Sequence, residues 1–259
     1  MKIGFSGSLN KIELAKEIGY DYYETGVSSI AALSDEEFAE AEKKVSALGL
    51  PLLAGNGTFP KSVPLAGPEV DIGNTERYLH RALGRMAALG CKTVVLGSGR
   101  RREYTEEFGR EKALRQLSLA ATLMGEIAEE NGMIAVMEPL CRKETNLINT
   151  VAEGGEFVES VACPGFMLLA DYYHMTADDE GLEGLKKFGH LIRHAHIAEP
   201  GSREWIPADS EACAPFFAAL SQIGYAGDLT LECLTPEPYA EKCAESLAAL
   251  RNFAKKYGF

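Results

Sequence analysis

The chain has 259 residues, 46% of them hydrophobic and 25% charged, and a formal net charge of −12. The length fits the roughly 250 residues of one (β/α)8 barrel, and the acidic balance argues against a binder of nucleic-acid backbones, which needs a basic stripe. No apolar run approaches the ~20 residues that cross a bilayer, and Met1-Lys2-Ile3 leads directly into a strand pattern, so neither a membrane span nor a secretory signal is expected.

In chain order, strands are predicted at residues 2–7, 21–27, 50–56, 92–97, 133–138, 165–171, 192–198 and 228–233. The first carries Gly4-Phe5-Ser6-Gly7, which does not supply the GxGxxG of a dinucleotide-binding fold. Gly19, Gly49, Gly90, Gly132 and Gly224 each follow a helical pattern and precede an apolar run. A glycine just past a helix end takes the left-handed conformation without a Cβ penalty. Ser34 and Glu37 form a capping box ahead of a helix.

Val94-Val95-Leu96, Ile134-Ala135-Val136-Met137 and Met167-Leu168-Leu169 are unbroken apolar runs, as parallel strands buried on both faces require. Between the strands, Ala113, Leu117, Ala120, Met124 and Ile127 form one helical stripe, and Cys243, Leu247, Leu250, Ala254 and Tyr257 form another. Eight βα units without a long linker predict one domain, residues 1–259, folded as a single (β/α)8 TIM barrel of the α/β class.

Four polar groups fall at the predicted C-terminal ends of four successive strands: Glu138, Asp171, His196 and Glu232. A carboxylate inside an apolar strand is costly unless it is paired or holds a cation. Polar residues at this end of barrel strands converge on the mouth. Three carboxylates and one imidazole suit one hard divalent ion, Mn²⁺, Mg²⁺ or Co²⁺, with Zn²⁺ as an alternative.

Other polar residues are read more plainly. Glu24 is expected to hydrogen-bond to the barrel rim, with a reach into the same mouth as its alternative, and Gly97-Ser98-Gly99-Arg100 to form a tight surface turn with solvated arginines, with a phosphate cradle as its alternative. His80 and His190 lie on predicted helices as surface or packing residues. The six cysteines are widely spaced and contain no CxxC pair, so reduced thiols in the cytoplasm are expected rather than a zinc-cysteine site.

At the strand ends the sequence resembles the xylose-isomerase-like barrels, and within them the ketose 3-epimerases of the tagatose and psicose epimerase kind. The carrying segments are Glu138-Pro139-Leu140-Cys141-Arg142-Lys143-Glu144-Thr145-Asn146-Leu147-Ile148-Asn149-Thr150, Asp171-x-x-His174-Met175, His194-Ala195-His196-Ile197-Ala198-Glu199 and Leu231-Glu232. The resemblance implies that Glu138, Asp171, His196 and Glu232 bind one divalent ion, most often Mn²⁺. It further implies that Glu138 and Glu232 are the catalytic pair, moving a proton through a metal-stabilised enediolate. Glu144, His174 and Arg203 would bind a small sugar, and a homo-oligomer would be in keeping with relatives that are dimers or tetramers.

Three departures from the family pattern stand out. Arg203 sits one residue farther from His196 than the pattern has it, Cys141 replaces the usual Asn, and Tyr172-Tyr173 is bulkier than the usual pair. The same catalytic groups would also serve a lyase of the inosose dehydratase type. An apurinic endonuclease would need a histidine-rich multi-zinc cluster, against which stand five histidines and the acidic charge. A regulatory barrel without catalysis would have no reason to keep all four ligands.

Overall fold

Eight parallel strands pair in sequence order and close on themselves in the computed structural model, which describes residues 1–259. They are β1 (Ile3–Ser6), β2 (Tyr22–Gly26), β3 (Leu52–Asn56), β4 (Thr93–Leu96), β5 (Ile134–Met137), β6 (Phe166–Asp171), β7 (Ile192–Ile197) and β8 (Asp228–Leu231). All eight expected strands are present, each trimmed at one or both ends.

The trimming touches two expected ligands. Glu138 and Glu232 lie one residue past β5 and β8, although their N–H groups still donate across the ladder, to Leu96 O at 3.1 Å and Ile197 O at 3.0 Å. The chain leaves the sheet there, and both carboxylates stand at the mouth.

The helices are α1 (Ile12–Ile18), α2 (Val27–Ala32), α3 (Asp35–Leu48), α4 (Ile72–Ala88), α5 (Arg110–Glu130), α6 (Val151–Val161), α7 (Tyr172–Ala177), α8 (Glu183–Phe188), α9 (Ala214–Gln222) and α10 (Tyr239–Tyr257). The Ser34–Glu37 capping box forms as expected, with reciprocal bonds of 3.1 and 2.8 Å. The five glycines at helix-strand junctions all have positive φ, from 65° to 99°.

The outer faces of the strands and the inner faces of the helices share one core cluster of 65 buried residues. The barrel interior is different, and it is split. On the β4–β6 side Val95, Val136 and Leu169 form a separate small apolar cluster. On the opposite side the alternating inward positions of β2, β7 and β8 are polar: Tyr22, Glu24, His194, His196 and Thr230, all 2% exposed or less. Gly4 of β1 makes room for them, since a Cβ there would overlap the Tyr22 ring. This polar half supports the site above it.

Candidate metal centre and its mouth

The four expected ligands converge. Glu138, Asp171, His196 and Glu232 each place one donor atom within 4.8 Å of the others. The register aligns Asp171 of β6 with His196 of β7, so two ligands come from paired strand positions. His196 is fully buried, and its Nδ1 lies 3.2 Å from Glu138 Oε1 and 3.4 Å from Glu232 Oε2.

The opposite face of that imidazole is held by Glu24. His196 Nε2 lies 3.0 Å from Glu24 Oε1. Glu24 Oε2 receives His194 Nε2 at 3.0 Å and the Thr230 hydroxyl at 2.7 Å, and Thr230 Oγ1 is 2.7 Å from the Tyr22 hydroxyl. A neutral imidazole with its Nε2–H on that carboxylate would present the Nδ1 lone pair to the ligand cluster. A carboxylate orienting a ligating imidazole from behind is the usual support of such centres. Glu24 therefore does not bond to the rim as expected from sequence. It is fully buried inside the barrel, because the inward alternation of β2 places it opposite two imidazoles of β7.

Burial alone would raise the Glu24 pKa, but the charges and hydrogen bonds of His196 and His194 outweigh it and hold the carboxyl well below its ordinary range. Burial opposes the charge on His196, yet Glu24 and Glu232 raise its pKa well above the usual imidazole value. The Glu138 pKa is raised, first by burial and then by the charge of Glu232. Asp171 is pushed up to about 6, chiefly by burial. Glu232 is half-buried, and against the cost of desolvation His196 and Arg203 pull it down to about 2.

The donor set fits a hard divalent cation on an observation internal to the site. Asp171 Oδ1 accepts from the Tyr173 N–H at 2.8 Å, but buried Oδ2 has no hydrogen-bond partner. Orphaned buried polar atoms are rare and costly, and this one faces three further donors. All six cysteines are free, and one of them, Cys141, groups with Glu144 and His174 beside the four-ligand cluster. Gly97, just past β4, supplies the space: a Cβ there would overlap Glu138 Oε2.

Around the ligands stand the expected substrate residues. His174 is 1% exposed, its Nδ1 accepts from the Cys141 N–H at 3.3 Å, and its Nε2, 3.6 Å from Asp171 Oδ2, lacks a hydrogen-bond partner. Arg203 adopts φ 58° and bridges two carboxylates, Glu144 Oε1 at 2.7 Å and Glu232 Oε2 at 3.2 Å, with its guanidinium 4.9 Å from the Tyr173 ring centre. The displaced spacing of Arg203 thus still delivers it to the mouth. Tyr172 turns away from the mouth and stacks on Phe216, leaving Tyr173 as the aromatic wall.

Sequence reasoning missed two further contributors. Asn56, at the end of β3, donates from Nδ2 to Glu232 Oε1 at 2.6 Å and to Ser6 Oγ at 2.9 Å. Arg102 is fully buried, not solvated like the arginines of the expected surface turn; only Arg100 of the triplet is exposed. Its guanidinium donates to the carbonyls of Gly97 (2.7 Å), Glu138 (3.0 Å), Leu147 (3.0 Å) and Ile148 (3.2 Å), tying the ends of β4 and β5 to the following loop. His80 and His190 are exposed, as expected.

A family model described as xylose isomerase-like TIM barrel matches residues 12–253. The chain is 27% identical to an L-ribulose 3-epimerase of Methylomonas sp. (strain DH-1), over 95% of this chain and 85% of that protein. It is 25% identical to a D-psicose 3-epimerase of Ruminiclostridium cellulolyticum, over 85% of this chain and 76% of the relative. Among solved structures, a D-psicose 3-epimerase crystallised in the presence of D-fructose superposes with a TM-score of 0.83 at 20% identity, covering both chains fully.

Proposed function

The chain belongs to the xylose isomerase-like TIM barrel family, and from that premise we propose that it is an isomerase, a ketose 3-epimerase dependent on one divalent metal ion. The observation that carries the reading is the approach of two glutamates, from the ends of β5 and β8, to the same imidazole nitrogen of His196. The ketose 3-epimerases among its relatives supply the reaction class.

Inverting a carbon beside a carbonyl requires a base and an acid on opposite faces of that carbon. Glu138 and Glu232 take these two roles: one removes the C3 proton, and the other returns a proton from the opposite side of the planar enediolate. Asp171 and His196 complete the ligand set without moving protons, and Glu24 keeps His196 in the required tautomer. A bound divalent ion, with Mn²⁺ the first choice, supplies Lewis-acid stabilisation of the negative charge that develops on the substrate oxygens. His174 offers its free Nε2, and Arg203 and Glu144 their charged ends, to the hydroxyls next to the reacting carbons. Arg203 also holds Glu232 in place.

The test is solvent exchange in D2O with Mn²⁺-loaded enzyme and a panel of ketopentoses and ketohexoses, followed by proton NMR. One deuterium at C3 of the epimer is expected, and Glu138→Gln and Glu232→Gln should each reduce turnover at least a thousandfold while the fold persists. Near-normal turnover in either variant rejects the assignment, and a dehydrated product would move the protein to the lyases.

A further inference from the structure

A second cleft opens at the barrel mouth beside the metal centre, and no role above is assigned to it. Its lining comes from the ends of β1, β2 and β3 and from α2, chiefly Ser6, Ser8, Thr25, Ser29, Asn56 and Ile30, and it encloses about 360 Å³. That volume lies within the ~300–1,000 Å³ range of small-molecule sites. Asn56 joins the two places, since its amide holds Glu232 while the same residue lines the cleft.

The lining selects a ligand chemistry. It contains no charged side chain, so an anion would find no counter-charge there. Ser6 is 9% exposed; its oxygen accepts from Asn56, and its own O–H donates to nothing in the protein. The Ser29 hydroxyl is likewise free to donate. The Ser8 and Thr25 hydroxyls already donate, to Asn10 Oδ1 and Gly7 O, and so offer acceptor lone pairs. Asn56 Oδ1 is a further free acceptor. Leu9, Ile30 and Leu33 add apolar surface. A ligand matching this wall carries both donors and acceptors on one rim and C–H groups on a face, and a pyranose ring does so. A purely apolar group would desolvate the hydroxyls without replacing their bonds.

Direction completes the argument, and this step rests on the epimerase reading. His174, Glu144 and Arg203 occupy the β5–β7 side of the ligand cluster, where they meet the hydroxyl end of the ketose nearest the reacting carbons. The other end of the sugar then extends away from them, toward β1–β3 and the neutral cleft, whereas the open space on their own side is lined by the charged Arg100, Lys143, Glu144 and Arg203. We propose that this cleft is a glycosyl subsite, and that the preferred substrates are ketoses bearing a neutral sugar unit on C5 or C6.

The experiment compares isomaltulose, a fructose with glucose on O6, with D-fructose, using wild type and Ser29→Trp, which fills the cleft from the exposed side of α2. In wild type, kcat/KM for isomaltulose should exceed that for D-fructose at least tenfold, and S29W should lower this ratio at least tenfold. A wild-type ratio of one or less, or a ratio unmoved by S29W, overturns the subsite. Calorimetric titration with isomaltulose separates this proposal from the epimerase reading. Binding heat that S29W abolishes upholds the subsite even if neither sugar turns over, and absence of heat with wild type overturns it even if D-fructose is epimerised.

Discussion

Replacing Arg102 with Met tests whether one buried guanidinium holds the Glu138 end of the site together. Of the carbonyls it serves, Leu96 O keeps the Glu138 N–H and Ile148 O keeps the Leu140 N–H. Gly97, Glu138 and Leu147 would lose their Arg102 bonds. Leaving a buried acceptor unpaired costs about 1–3 kcal/mol, which gives roughly 6 kcal/mol for three at mid-range. Against this, Met removes a charge that burial disfavours, as shown by an Arg102 pKa pushed down to about 10. Relief of that penalty returns about 3 kcal/mol. The net expectation is a loss of about 3 kcal/mol, well within the ~5–15 kcal/mol by which native domains resist unfolding, so the variant should still fold at 25 °C. Urea unfolding with matched m-values measures the difference, and Arg102→Lys, with a single ammonium for the same carbonyls, should recover only part of it. A loss below about 1 kcal/mol for R102M would show that water or a shifted loop satisfies those carbonyls and that Arg102 does not organise this part of the mouth.

Further outcomes follow from the same geometry. Glu24→Gln should weaken Mn²⁺ binding by about 10–100-fold in a calorimetric titration of the metal-free protein, because the amide no longer fixes the His196 tautomer; unchanged affinity would reduce Glu24 to a packing residue. Gly97→Ala forces Glu138 Oε2 to move, and a misplacement of ~1 Å should lower kcat/KM by about 100-fold with little change in Tm, since the displaced atom ends a side chain. Glu180, whose Oε1 accepts from the Val151 N–H at 2.9 Å, has its pKa raised by burial from 4.5 to about 7. The folded state therefore holds that proton more tightly than the unfolded chain; the resulting stability is complete below pH 4.5 and is lost as pH rises to about 7. Glu180→Gln stays neutral throughout, so it should match wild type near pH 4 and exceed it by about 1–2 kcal/mol at pH 8 in urea unfolding, after allowance for partial exposure. A gap that is the same at both pH values would contradict this.

What could be read from sequence follows from what each residue depends on. The strands were legible because parallel strands covered on both sides must be apolar throughout, and Val94-Val95-Leu96 and Met167-Leu168-Leu169 fit little else. The ligands were legible because Glu138 and Asp171 interrupt such runs at the end that barrels use for chemistry. Glu24 sits in an equally telling position, but its meaning depends on residues some 170 positions away: only closure of the barrel sets β2 across from His194 and His196. Asn56 looks like any amide at a strand end until β8 brings Glu232 beside it. Arg102 follows two other arginines, and such a run is usually a solvated face; here the loop after β5 folds back and turns its third member inward. The residues that present donors to the mouth thus announce themselves by local cost, whereas those that aim the donors are defined by partners the chain meets only when the ring is complete. A variant of this protein chosen by strand-end motifs alone would keep every ligand and could still lose the site, through the polar half of the barrel beneath it.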